Sequence, residues 1–507
     1  LKAAAGGGGK GMRVVHNDSE MEQSLYSARN EAKNNFSDER TFIEKYIEDP
    51  RHIEIQLLAD QHGNYVCLGE RECSIQRHHQ KVIEEAPSIF IDEKTRAKMY
   101  KQSITLGKAV GYHSAGTVEF IVDAKKNFYF MEMNTRLQVE HPVTELVTGI
   151  DIVEQMIRIA RGEKLPFKQN DIKIEGHATE CRIYAEDATA GFLPSTGKIT
   201  TYHQPEPRTG LRIDTGIYEG GEVSMFYDAM ISKVCTHAPT RDGSIELMRN
   251  VLNDYLIFGI SHNISGFLQR ILSHSRYISG NISTHFIAEE FSQQATGATL
   301  DSEAKAVMLS AATYIFLTEQ KRALTISGQK RNHSSGIGTR WVVVIDEQSY
   351  PITIRPVDDG YKIVFESRKL IISSKWRLGS RLFQCIINQK QYSLQIEFIR
   401  NGYRLTFMGS NAIVKVLTPR AAELSKYMPK NEQVNDVTGE VLASMSGMIV
   451  GVKVEKGNVV TKGQVLAIIE AMKMENIITS PIDGTVEKIH VSQGVSVSAG
   501  DPIIDIA

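Results

Sequence analysis

The C-terminal segment of the chain contains an internal repeat, which restricts the possible fold more than any other feature of the sequence. Three glycines, a valine and a polar residue recur 37 positions further along: Gly447, Gly457, Gly463, Val454 and Gln464 correspond to Gly484, Gly494, Gly500, Val491 and Asp501. Regularly spaced copies of one short β unit are typical of a duplicated module. Two copies joined by a hairpin predict a flattened β-barrel with pseudo-twofold symmetry over residues 441–507.

The joint between the two copies has the sequence EAMKMEN, residues 470–476, in which Lys473 stands between two methionines. A lysine at a tight turn offers an accessible amine on a rigid support, which a modifying enzyme can recognise by its shape. The residues alone leave two interpretations open. Lys473 is either a solvated turn lysine or the attachment point of a prosthetic group.

Composition and charge exclude several classes of protein. The 507 residues suffice for about three or four domains, and a net charge of −2 provides no basic excess for nucleic acid. No apolar run approaches the ~20 residues of a membrane-spanning helix. The five cysteines are scattered and lack C-x-x-C spacing, which indicates a reducing compartment and no structural zinc. We therefore predict no nucleic-acid partner and no membrane association.

The residue pattern divides the chain into four parts, and together they predict a multidomain α+β protein. The predicted parts are a mixed helix and strand region (1–291), a helix followed by β runs (292–424), a polar linker (425–440) and the repeated unit (441–507). The second part has one long helix with Asp301 as its N-cap and about eight short β runs separated by hairpin signals such as Asn401-Gly402. A helix with an antiparallel meander predicts a small barrel or curled sheet.

The chain opens with a glycine run flanked by cations, LKAAAGGGGKGMRVV. The run contains G-x-G-x-x-G, but the MRVV that follows is strand-like, and no Ser or Thr follows Lys10-Gly11, so neither a dinucleotide fingerprint nor a Walker A loop is predicted. Glycines with Lys2, Lys10 and Arg13 suit a flap whose amides and cations close over a polyphosphate; a plain flexible loop is the alternative. Because no initiator methionine or targeting segment is present, we expect the chain to be a fragment.

The stretch AGTVEFIVDAKKNFYFMEMNTR predicts a β-hairpin with two lysines at its tip. Its register sets Thr117 opposite Asn134 and Glu119 opposite Glu132. Directly opposed carboxylates repel each other, but a divalent cation between them reverses the sign, and Mg²⁺ prefers such oxygen ligands together with phosphates. The hairpin therefore predicts a magnesium site.

Alternation along the second strand of this hairpin extends the polar row. The residues predicted to share one face are Glu132, Asn134, Arg136 and Gln138, with Glu140 continuing the row and Phe128 preceding it. Four polar side chains in register are unusual for a core-facing strand and natural for the floor of a binding site. The alternative is a solvated face of the sheet.

Five long motifs in residues 1–290 resemble the biotin carboxylase component of biotin-dependent carboxylases, which is an ATP-grasp enzyme. They are KAAAGGGGKGMR, EKYIEDPRHIEIQ, ECSIQRHHQKVIEEAP, MEMNTRLQVEHPVTE and GHATECRIYAED. EAMKM within a duplicated β module resembles the biotinyl domain of the same enzymes. Lipoyl domains share that fold, but their lysine usually follows Asp. One departure is ASMSG at 443–447, where the family usually has prolines.

The resemblance implies roles for individual residues. The implied ATP contacts are Lys2, Gly8, Gly9, Glu44, Lys45, Ile47, His52, Gln76 and His79. The implied ligands of Mg²⁺ (or Mn²⁺) are Glu119, Glu132 and Asn134. The implied bicarbonate pocket comprises Lys81, Arg136, Gln138 and Val139, with Glu140 as the base, Arg182 as the partner of the biotin enolate and Lys473 as the biotin attachment site. Solvated surface positions remain the alternative for His52 and His79, and a structural ion pair for Arg182.

The resemblance also implies a reaction. Glu140 would remove the bicarbonate proton so that the oxyanion attacks the γ-phosphate of MgATP, and the activated carboxyl group would pass to biotin on Lys473. Only residues 292–440 separate the two components, so the carboxyltransferase is expected on another polypeptide. The helix and meander resemble the subunit-docking domain of acyl-CoA carboxylase α subunits.

The stretch TPRAAELSKYM resembles the propionyl-CoA carboxylases in particular. Subunits that serve 3-methylcrotonyl-CoA or other acyl-CoA substrates share the plan, and a non-catalytic biotin or lipoyl carrier scaffold is the alternative from another class. The implied partners are a carboxyltransferase β subunit, in an α6β6 assembly by family, and a biotin protein ligase. The implied location is the mitochondrial matrix in a eukaryote and the cytoplasm otherwise. Without an N-terminal subdomain, this stretch alone is expected to be inactive.

Overall fold

The computed structural model describes residues 1–5, 11–77, 79–224, 226–291, 300–327, 338–428, 439–445, 447–471, 474–498 and 500–507. Within them, buried apolar side chains pack into separate cores in residues 53–287, 304–416 and 441–506. The predicted multidomain α+β class is confirmed by these cores and by the elements described below. Among the helices that the structure describes, none combines the length and apolarity needed to cross a bilayer.

The N-terminal residues form a two-stranded sheet beside one helix: β1 (Lys2–Ala3), α1 (Asp18–Phe36) and β2 (Thr41–Phe42). The MRVV stretch, which was expected to be strand-like, forms no strand in the structure. It leads instead into α1, which ends where Ser37 takes a left-handed conformation (φ 56°).

The next region is built on one large antiparallel sheet. Its elements in chain order are β3 (Arg51–Ala59), β4 (Tyr65–Arg77), β5 (Gln80–Ala86), α2 (Glu93–Ala109), β6 (Ser114–Val122), β7 (Phe128–Asn134), α3 (His141–Thr148), α4 (Ile152–Ala160), β8 (His177–Tyr184), β9 (Glu186–Asp187), β10 (Leu193–Pro194), β11 (Gly197–Lys198), β12 (Thr201–His203), β13 (Leu211–Thr215), β14 (Glu222–Val223), β15 (Met230–Ala238), α5 (Arg241–Asp254), β16 (Leu256–Phe258), α6 (Ser265–Ser273), α7 (Ser275–Ile278) and α8 (Phe286–Phe291). Eight strands form the sheet in the order β13-β15-β8-β5-β4-β3-β6-β7. This order brings β3, β5, β6 and β8, which are far apart in sequence, close together at the sheet centre.

The β6–β7 hairpin has the predicted register beside its polar residues and a bulge beyond them. The expected partners pair: Thr117 with Asn134, and Glu119 with Glu132. The register shifts between Glu119 and Phe120, and an extra residue on one strand reverses the alternation of faces. Phe128 therefore packs edge-on against the buried Phe120, with ring centroids 5.5 Å apart, and the expectation that it shares the face of Glu132 is wrong.

The third region is a closed barrel around a helix. Its elements are α9 (Ser302–Leu324), β17 (Arg340–Ile345), β18 (Gln348–Val357), β19 (Gly360–Phe365), β20 (Arg368–Ser373), β21 (Leu382–Ile387), β22 (Lys390–Ile399), β23 (Gly402–Phe407), β24 (Ser410–Leu417) and α10 (Pro419–Leu424). The eight strands follow one another around the barrel, and β24 pairs back with β17. Asp301 accepts a hydrogen bond from the amide of Ala304 at 2.7 Å, so the predicted N-cap is confirmed.

The barrel encloses α9 because that helix carries small side chains. Ala304, Ala306, Ala311 and Ala312 are buried in the same core as the inward-facing strand residues. Alanine lets the helix axis approach the strands closely without overfilling the interior. The hairpin between β21 and β22 turns at Asn388-Gln389, where both residues have positive φ (47° and 70°), as a two-residue type I′ turn requires.

The duplicated segment folds with the symmetry that the repeat predicts. Its strands are β25 (Glu440–Leu442), β26 (Gly447–Val452), β27 (Val459–Val460), β28 (Val465–Ala471), β29 (Met474–Thr479), β30 (Gly484–Ile489), β31 (Ser496–Val497) and β32 (Pro502–Ile506). They form two four-stranded sheets, β25-β32-β30-β27 and β29-β28-β26-β31. Each sheet takes two strands from each copy, so neither copy can complete a sheet alone.

Equivalent hydrogen bonds explain why Gln464 and Asp501 correspond in the repeat. The Gln464 side chain accepts from the amide of Thr461 at 3.0 Å, and the Asp501 carboxylate accepts from the amide of Ser498 at 2.7 Å. Both residues close the same turn 37 positions apart, because either side-chain oxygen can replace a backbone carbonyl there.

Two further expectations concern the connections and the thiols. The polar linker predicted at 425–440 begins with helical structure, since Ser425–Tyr427 form a 3₁₀ turn after α10; residues 429–438, and the boundary at 292–299, lie outside the described residues. All five cysteines are buried free thiols.

Replacing Ala311 by leucine tests whether α9 fills the barrel. Because Ala311 is fully buried, the extra methyl groups should overpack the interior and lower the free energy of unfolding by about 1–3 kcal/mol. Both tryptophans of the chain, Trp341 and Trp376, pack against this core, so urea unfolding followed by tryptophan fluorescence reports on the barrel. Ala323→Leu, at an exposed position of the same helix, should have little effect; equal effects at both positions would contradict an enclosed helix.

Candidate active site

One face of the central sheet is polar although it is buried. On β3, His52, Glu54 and Gln56 alternate with apolar residues, and each of the three is less than a tenth exposed. The apolar residues between and after them, Ile53, Ile55 and Leu57, join the core beside α2, so the polar ones occupy the opposite face. Buried polar groups need hydrogen-bond partners, and these three residues find side-chain partners on β4, β5 and β6.

The ammonium of Lys81 is the centre of this polar face. Its Nζ lies 2.5 Å from Glu54 Oε2, 2.6 Å from Glu140 Oε1 and 3.2 Å from Glu119 Oε1. Three N–H donors therefore have three carboxylate partners, supplied by β3, by β6 and by the residue preceding α3. A single charge thus ties together the sheet and the helix that covers it.

A second buried cation, Arg71 on β4, lies beside Lys81. Its guanidinium is fully buried and contacts Glu54, Gln56 (2.7 Å), Thr144 (3.0 Å), Gln138 (2.9 Å) and Thr117 (3.2 Å). Sequence reasoning missed both Arg71 and Glu54. The only sequence signal was a run of charged residues alternating with apolar ones in β3 and β4, because their pairing depends on the order of the strands.

The predicted metal ligands lie together at the edge of this face. Asn134 donates from Nδ2 to Glu119 Oε1 at 3.0 Å and to Glu132 Oε1 at 3.4 Å, and Gln138 donates to Glu119 at 2.8 Å. Glu119 and Glu132 also face each other across the hairpin. Two carboxylates and an amide supply the oxygen ligands that Mg²⁺ prefers, so the donor set fits a magnesium ion.

His52 joins the same cluster from β3. Its Nε2 is 3.2 Å from Glu119 Oε2, and its Nδ1 contacts Gln76 Nε2 at 2.7 Å. His52 and Gln76 are both buried, so the solvated alternative does not apply to His52. Ligand atoms of His52, Glu54 and Glu119 all lie within 4.8 Å of one another, a second arrangement that could hold a cation.

Arg182 on β8 completes the cluster opposite Lys81. Its Nε donates to Glu84 Oε1 at 2.6 Å and its Nη2 donates to Glu140 Oε2 at 2.8 Å. Glu140 is thus held between two cations, Lys81 on one oxygen and Arg182 on the other. The structure therefore places the predicted base, the predicted bicarbonate lysine and the predicted enolate partner in direct contact.

The charges around Glu119 and Glu140 keep both carboxylates ionised. Burial alone raises the pKa of Glu140, but Lys81, Arg182 and Arg71 together hold it well below its usual range. Burial is likewise outweighed at Glu119, where the hydrogen bond and charge of His52 and the charge of Lys81 hold the pKa below its usual range. At Lys81 burial alone would lower the pKa, but the surrounding carboxylates raise it well above its usual range.

The other predicted site residues lie at the border of the cluster or away from it. β7 ends at Asn134, so Arg136 does not continue the strand as expected; it is exposed and donates to the carbonyl of Leu137 at 3.1 Å. The carbonyl of Val139 accepts from Lys233 Nζ at 2.6 Å.

Most predicted ATP contacts belong to the N-terminal unit and to exposed turns. Lys2 Nζ lies 3.9 Å from Glu44. Lys45 is exposed, Ile47 is half-buried, and His79 is exposed with a positive φ of 64° at the β4–β5 turn. Gly8, Gly9 and Lys473 lie outside the described residues. β28 and β29 pair through Ala471 and Met474, which places the joint of the repeat where the sequence predicts it.

Comparison with known families covers most of the chain. Residues 1–168 match the carbamoyl-phosphate synthase L chain ATP-binding domain, 180–289 the biotin carboxylase C-terminal domain, 308–431 the propionyl-coenzyme A carboxylase BT domain and 438–506 the biotin-requiring enzyme domain. These matches, with the fold and the buried cluster, define the chain as a biotin-dependent carboxylase.

Curated relatives narrow the family further. The propionyl-CoA carboxylase alpha chain of Ruegeria pomeroyi is 47% identical over 100% of this chain and 77% of its own length. The mitochondrial human alpha chain is 42% identical over 100% and 70%, and the mitochondrial methylcrotonoyl-CoA carboxylase subunit alpha of Dictyostelium discoideum is 36% identical over 96% and 71%. The chain belongs to the propionyl-CoA carboxylase alpha-chain family.

Solved structures of biotin carboxylases resemble this chain over a little more than half of its length. A biotin carboxylase–β,γ-ATP complex from Campylobacter jejuni is 48% identical, with a TM-score of 0.55 over 57% of this chain and 64% of its own. The biotin carboxylase domain of Hydrogenobacter thermophilus 2-oxoglutarate carboxylase, with MgADP and bicarbonate, is 44% identical, with a TM-score of 0.56 over 57% and 63%. The chain thus spans just under two thirds of these carboxylases.

Taken with the family, these comparisons confirm the predicted ligase class and, for that family, the predicted set of biotin, ATP, Mg²⁺ and bicarbonate. The BT domain and the alpha-chain relatives also imply a carboxyltransferase β subunit as partner.

Replacing Arg71 by methionine tests whether the buried charges depend on one another. Removing Arg71 leaves the buried Glu54 with Lys81 but without its second cation, and the side-chain oxygens of Gln56 and Gln138 lose the same donor. Breaking a buried ion pair from one side should destabilise the region by up to about 3–5 kcal/mol. Hydrogen exchange of peptides from β3 and β4 measures the free energy of local opening. The exposed pair of Arg158 with Glu154 provides the control: Arg158→Met should leave exchange in β3 and β4 unchanged. Equal protection in wild type and Arg71→Met would contradict the account.

Proposed function

We propose that the protein catalyses the MgATP- and bicarbonate-dependent carboxylation of biotin carried on its own Lys473, for transfer to propionyl-CoA by a separate β subunit to give methylmalonyl-CoA. The observation that carries this proposal is the contact of Glu140 with both Lys81 and Arg182, next to the opposed acids Glu119 and Glu132. A base, two anion-binding cations and a metal-ligand pair in one buried cluster suit the activation of a small oxyanion.

Lys81 and Arg182 bind the bicarbonate anion in this proposal and thereby activate Glu140. A carboxylate that two cations hold ionised is a weak base, because its pKa lies far below that of the proton it must remove. An incoming anion that takes over the contacts to Lys81 and Arg182 removes the cause of that low pKa. Glu140 then becomes a stronger base at the moment when its substrate is present, and Gln138, fixed by Arg71, supplies an amide donor to the bound anion.

Glu119, Glu132 and Asn134 are the residues that would hold Mg²⁺. The Asn134 amide now donates to both carboxylates, and turning it over would present its oxygen to a cation. Magnesium, when bound with ATP, supplies positive charge to the phosphoryl oxygens. Lys2 and the glycine run would contact the phosphates, Glu44, Lys45 and Ile47 the adenine, and His52, Gln76 and His79 other parts of the nucleotide.

Biotin, when attached to Lys473, supplies the nitrogen that accepts the carboxyl group. Arg182 is the residue that we assign to its ureido oxygen, because a guanidinium held by Glu84 on one side can present its remaining N–H groups to a developing negative charge. Arg136, exposed at the entrance, and the backbone of Val139 complete the proposed pocket.

The remaining assignments follow from the family. We propose the domain limits 1–291, 292–424, 425–440 and 441–507, with the helix-filled barrel as the surface that docks the β subunit in an α6β6 assembly. A biotin protein ligase would modify Lys473. The eukaryotic relatives named above are mitochondrial and the Ruegeria relative is bacterial, so we propose the mitochondrial matrix in a eukaryote and the cytoplasm in a bacterium.

A second acyl-CoA substrate is favoured by one observation, the 36% identity to a methylcrotonoyl-CoA carboxylase subunit. The acyl group would be bound by the partner subunit, so reconstitution with candidate β subunits decides between the two. Faster carboxylation of propionyl-CoA than of 3-methylcrotonyl-CoA supports our proposal, and the reverse order overturns the substrate assignment.

Bicarbonate-dependent cleavage of ATP by the full-length protein, with free biotin, tests the catalytic role. Glu140→Gln should lower kcat at least about 100-fold, the usual contribution of a positioned base, without changing the fold seen by circular dichroism. Lys164→Gln, at an exposed position, is the control and should have the same kcat as wild type. Intact-mass analysis should show Lys473 carrying biotin less one water. If bicarbonate does not stimulate ATP cleavage by the wild-type protein, the proposed biotin carboxylation is wrong. A biotin carrier scaffold then remains as the function.

A further inference from the structure

Two buried glutamates lie behind the active site, and the mechanism above uses neither of them as an acid or a base. Glu84 on β5 and Glu180 on β8 are both fully buried, and they are direct partners across the antiparallel β5–β8 pair. Side chains of directly opposed residues in neighbouring strands are within contact distance, and like charges there repel. Two ionised carboxylates without water between them would be strongly unfavourable.

Each of these glutamates has one oxygen with a partner and one without. Glu84 Oε1 accepts from Arg182 at 2.6 Å, and Glu180 Oε2 accepts from the Cys235 thiol at 3.2 Å. Glu84 Oε2 and Glu180 Oε1 are buried and have no hydrogen-bond partner. A proton between the two carboxyl groups would satisfy both of these oxygens at once.

The charged groups that face the two glutamates also favour one shared proton. Arg182 and Lys233, which pair across β8 and β15, lie on the same face, and the helix α3 covers it with His141 and Glu145, preceded by Glu140. Burial raises the pKa of Glu84 to about 7 against the opposing charge of Arg182. Burial, and then the charge of Glu84, raise the pKa of Glu180 well above its usual range. Because the cation Arg182 donates to Glu84, whereas Glu180 has only the neutral Cys235 thiol as donor, a single proton belongs on Glu180.

We propose that Glu84 and Glu180 form a singly protonated carboxyl pair, in which Glu180 donates its proton to Glu84 and the one remaining negative charge holds Arg182 in position. Glu84 and Glu180 are then positioning residues that act through Arg182. The proton prevents a second negative charge from accumulating next to Glu140. That the positioned arginine serves carboxylation rests on the proposed function, whereas the shared proton does not.

Infrared spectroscopy of the full-length protein labelled with ¹³C-glutamate detects the proton directly. At neutral pD, wild type should show a protonated-carboxyl stretch that Glu180→Gln lacks, because glutamine has no carboxyl group. Cys235→Ala should retain the band and shift it, since the thiol donates to the carbonyl oxygen. Glu163→Gln, a half-exposed control, should leave it unchanged. Identical wild-type and Glu180→Gln spectra in this region overturn the proposal.

The pH dependence of stability provides a second measurement that needs no activity. A carboxyl group whose pKa is raised by folding stabilises fully below its unfolded pKa, and this contribution is lost as pH rises towards the folded pKa. Glu180→Gln removes this titration, so its Tm should fall less than that of wild type between acid and alkaline pH. Parallel Tm profiles for the two proteins contradict a protonated Glu180.

Kinetics separate positioning from a merely structural role. Glu84→Gln takes away the anion that holds Arg182 and should lower kcat for biotin carboxylation at least about tenfold, with KM for ATP nearly unchanged. Glu180→Gln keeps a neutral side chain at this position, so its kcat should fall much less. The alkaline limb of its kcat–pH profile should differ from that of wild type. An equal loss of kcat in Glu84→Gln and Glu180→Gln would overturn the proposed carboxyl pair. If wild type carboxylates nothing, the proposed function fails while the infrared result stands.

Discussion

The contact of one ammonium, Lys81, with three buried carboxylates is the interaction on which the rest of the site depends. Each carboxylate comes from a different part of the chain, and none could be buried ionised without a cation beside it. Arg71 and Arg182 extend the network on either side, so β3, β4, β5, β6, β8 and the start of α3 are tied into one charged layer. In our proposal stability and chemistry therefore depend on the same residues, because the charges that hold the sheet against α3 are those that we propose to bind the substrate.

The remaining regions provide rigid supports away from this layer. A closed barrel has no free strand edge, and its interior is filled by a helix that buries several alanines among larger apolar side chains, which suits a surface that must dock a partner without deforming. The duplicated module exchanges strands between its two copies, and the joint that carries Lys473 connects β28 and β29, which pair within one sheet built from both copies. We therefore assign the chemistry to the first region, and docking and the carriage of biotin to the two other separately packed cores.

Local features of the fold could be predicted from the sequence. The pairing of Glu119 with Glu132, the cap at Asp301, the turns of the barrel and the 37-residue symmetry all depend on residues close in the chain or on repetition. The bulge beside Phe120 could not be predicted, since nothing in the strand pattern marks the extra residue. Arg71 and Glu54 were missed because the sheet order that brings β3, β4, β5 and β8 together is a tertiary property, and Arg136 was misplaced because β7 ends before it.

A structure of the full-length protein with MgADP and bicarbonate tests the central claim most directly. The account predicts a metal ion between the carboxylates of Glu119 and Glu132, and an oxyanion against Lys81 and Arg182 with Glu140 displaced from at least one of them. An occupied nucleotide site with the anion bound elsewhere, and with Glu140 still in contact with both cations, would contradict it.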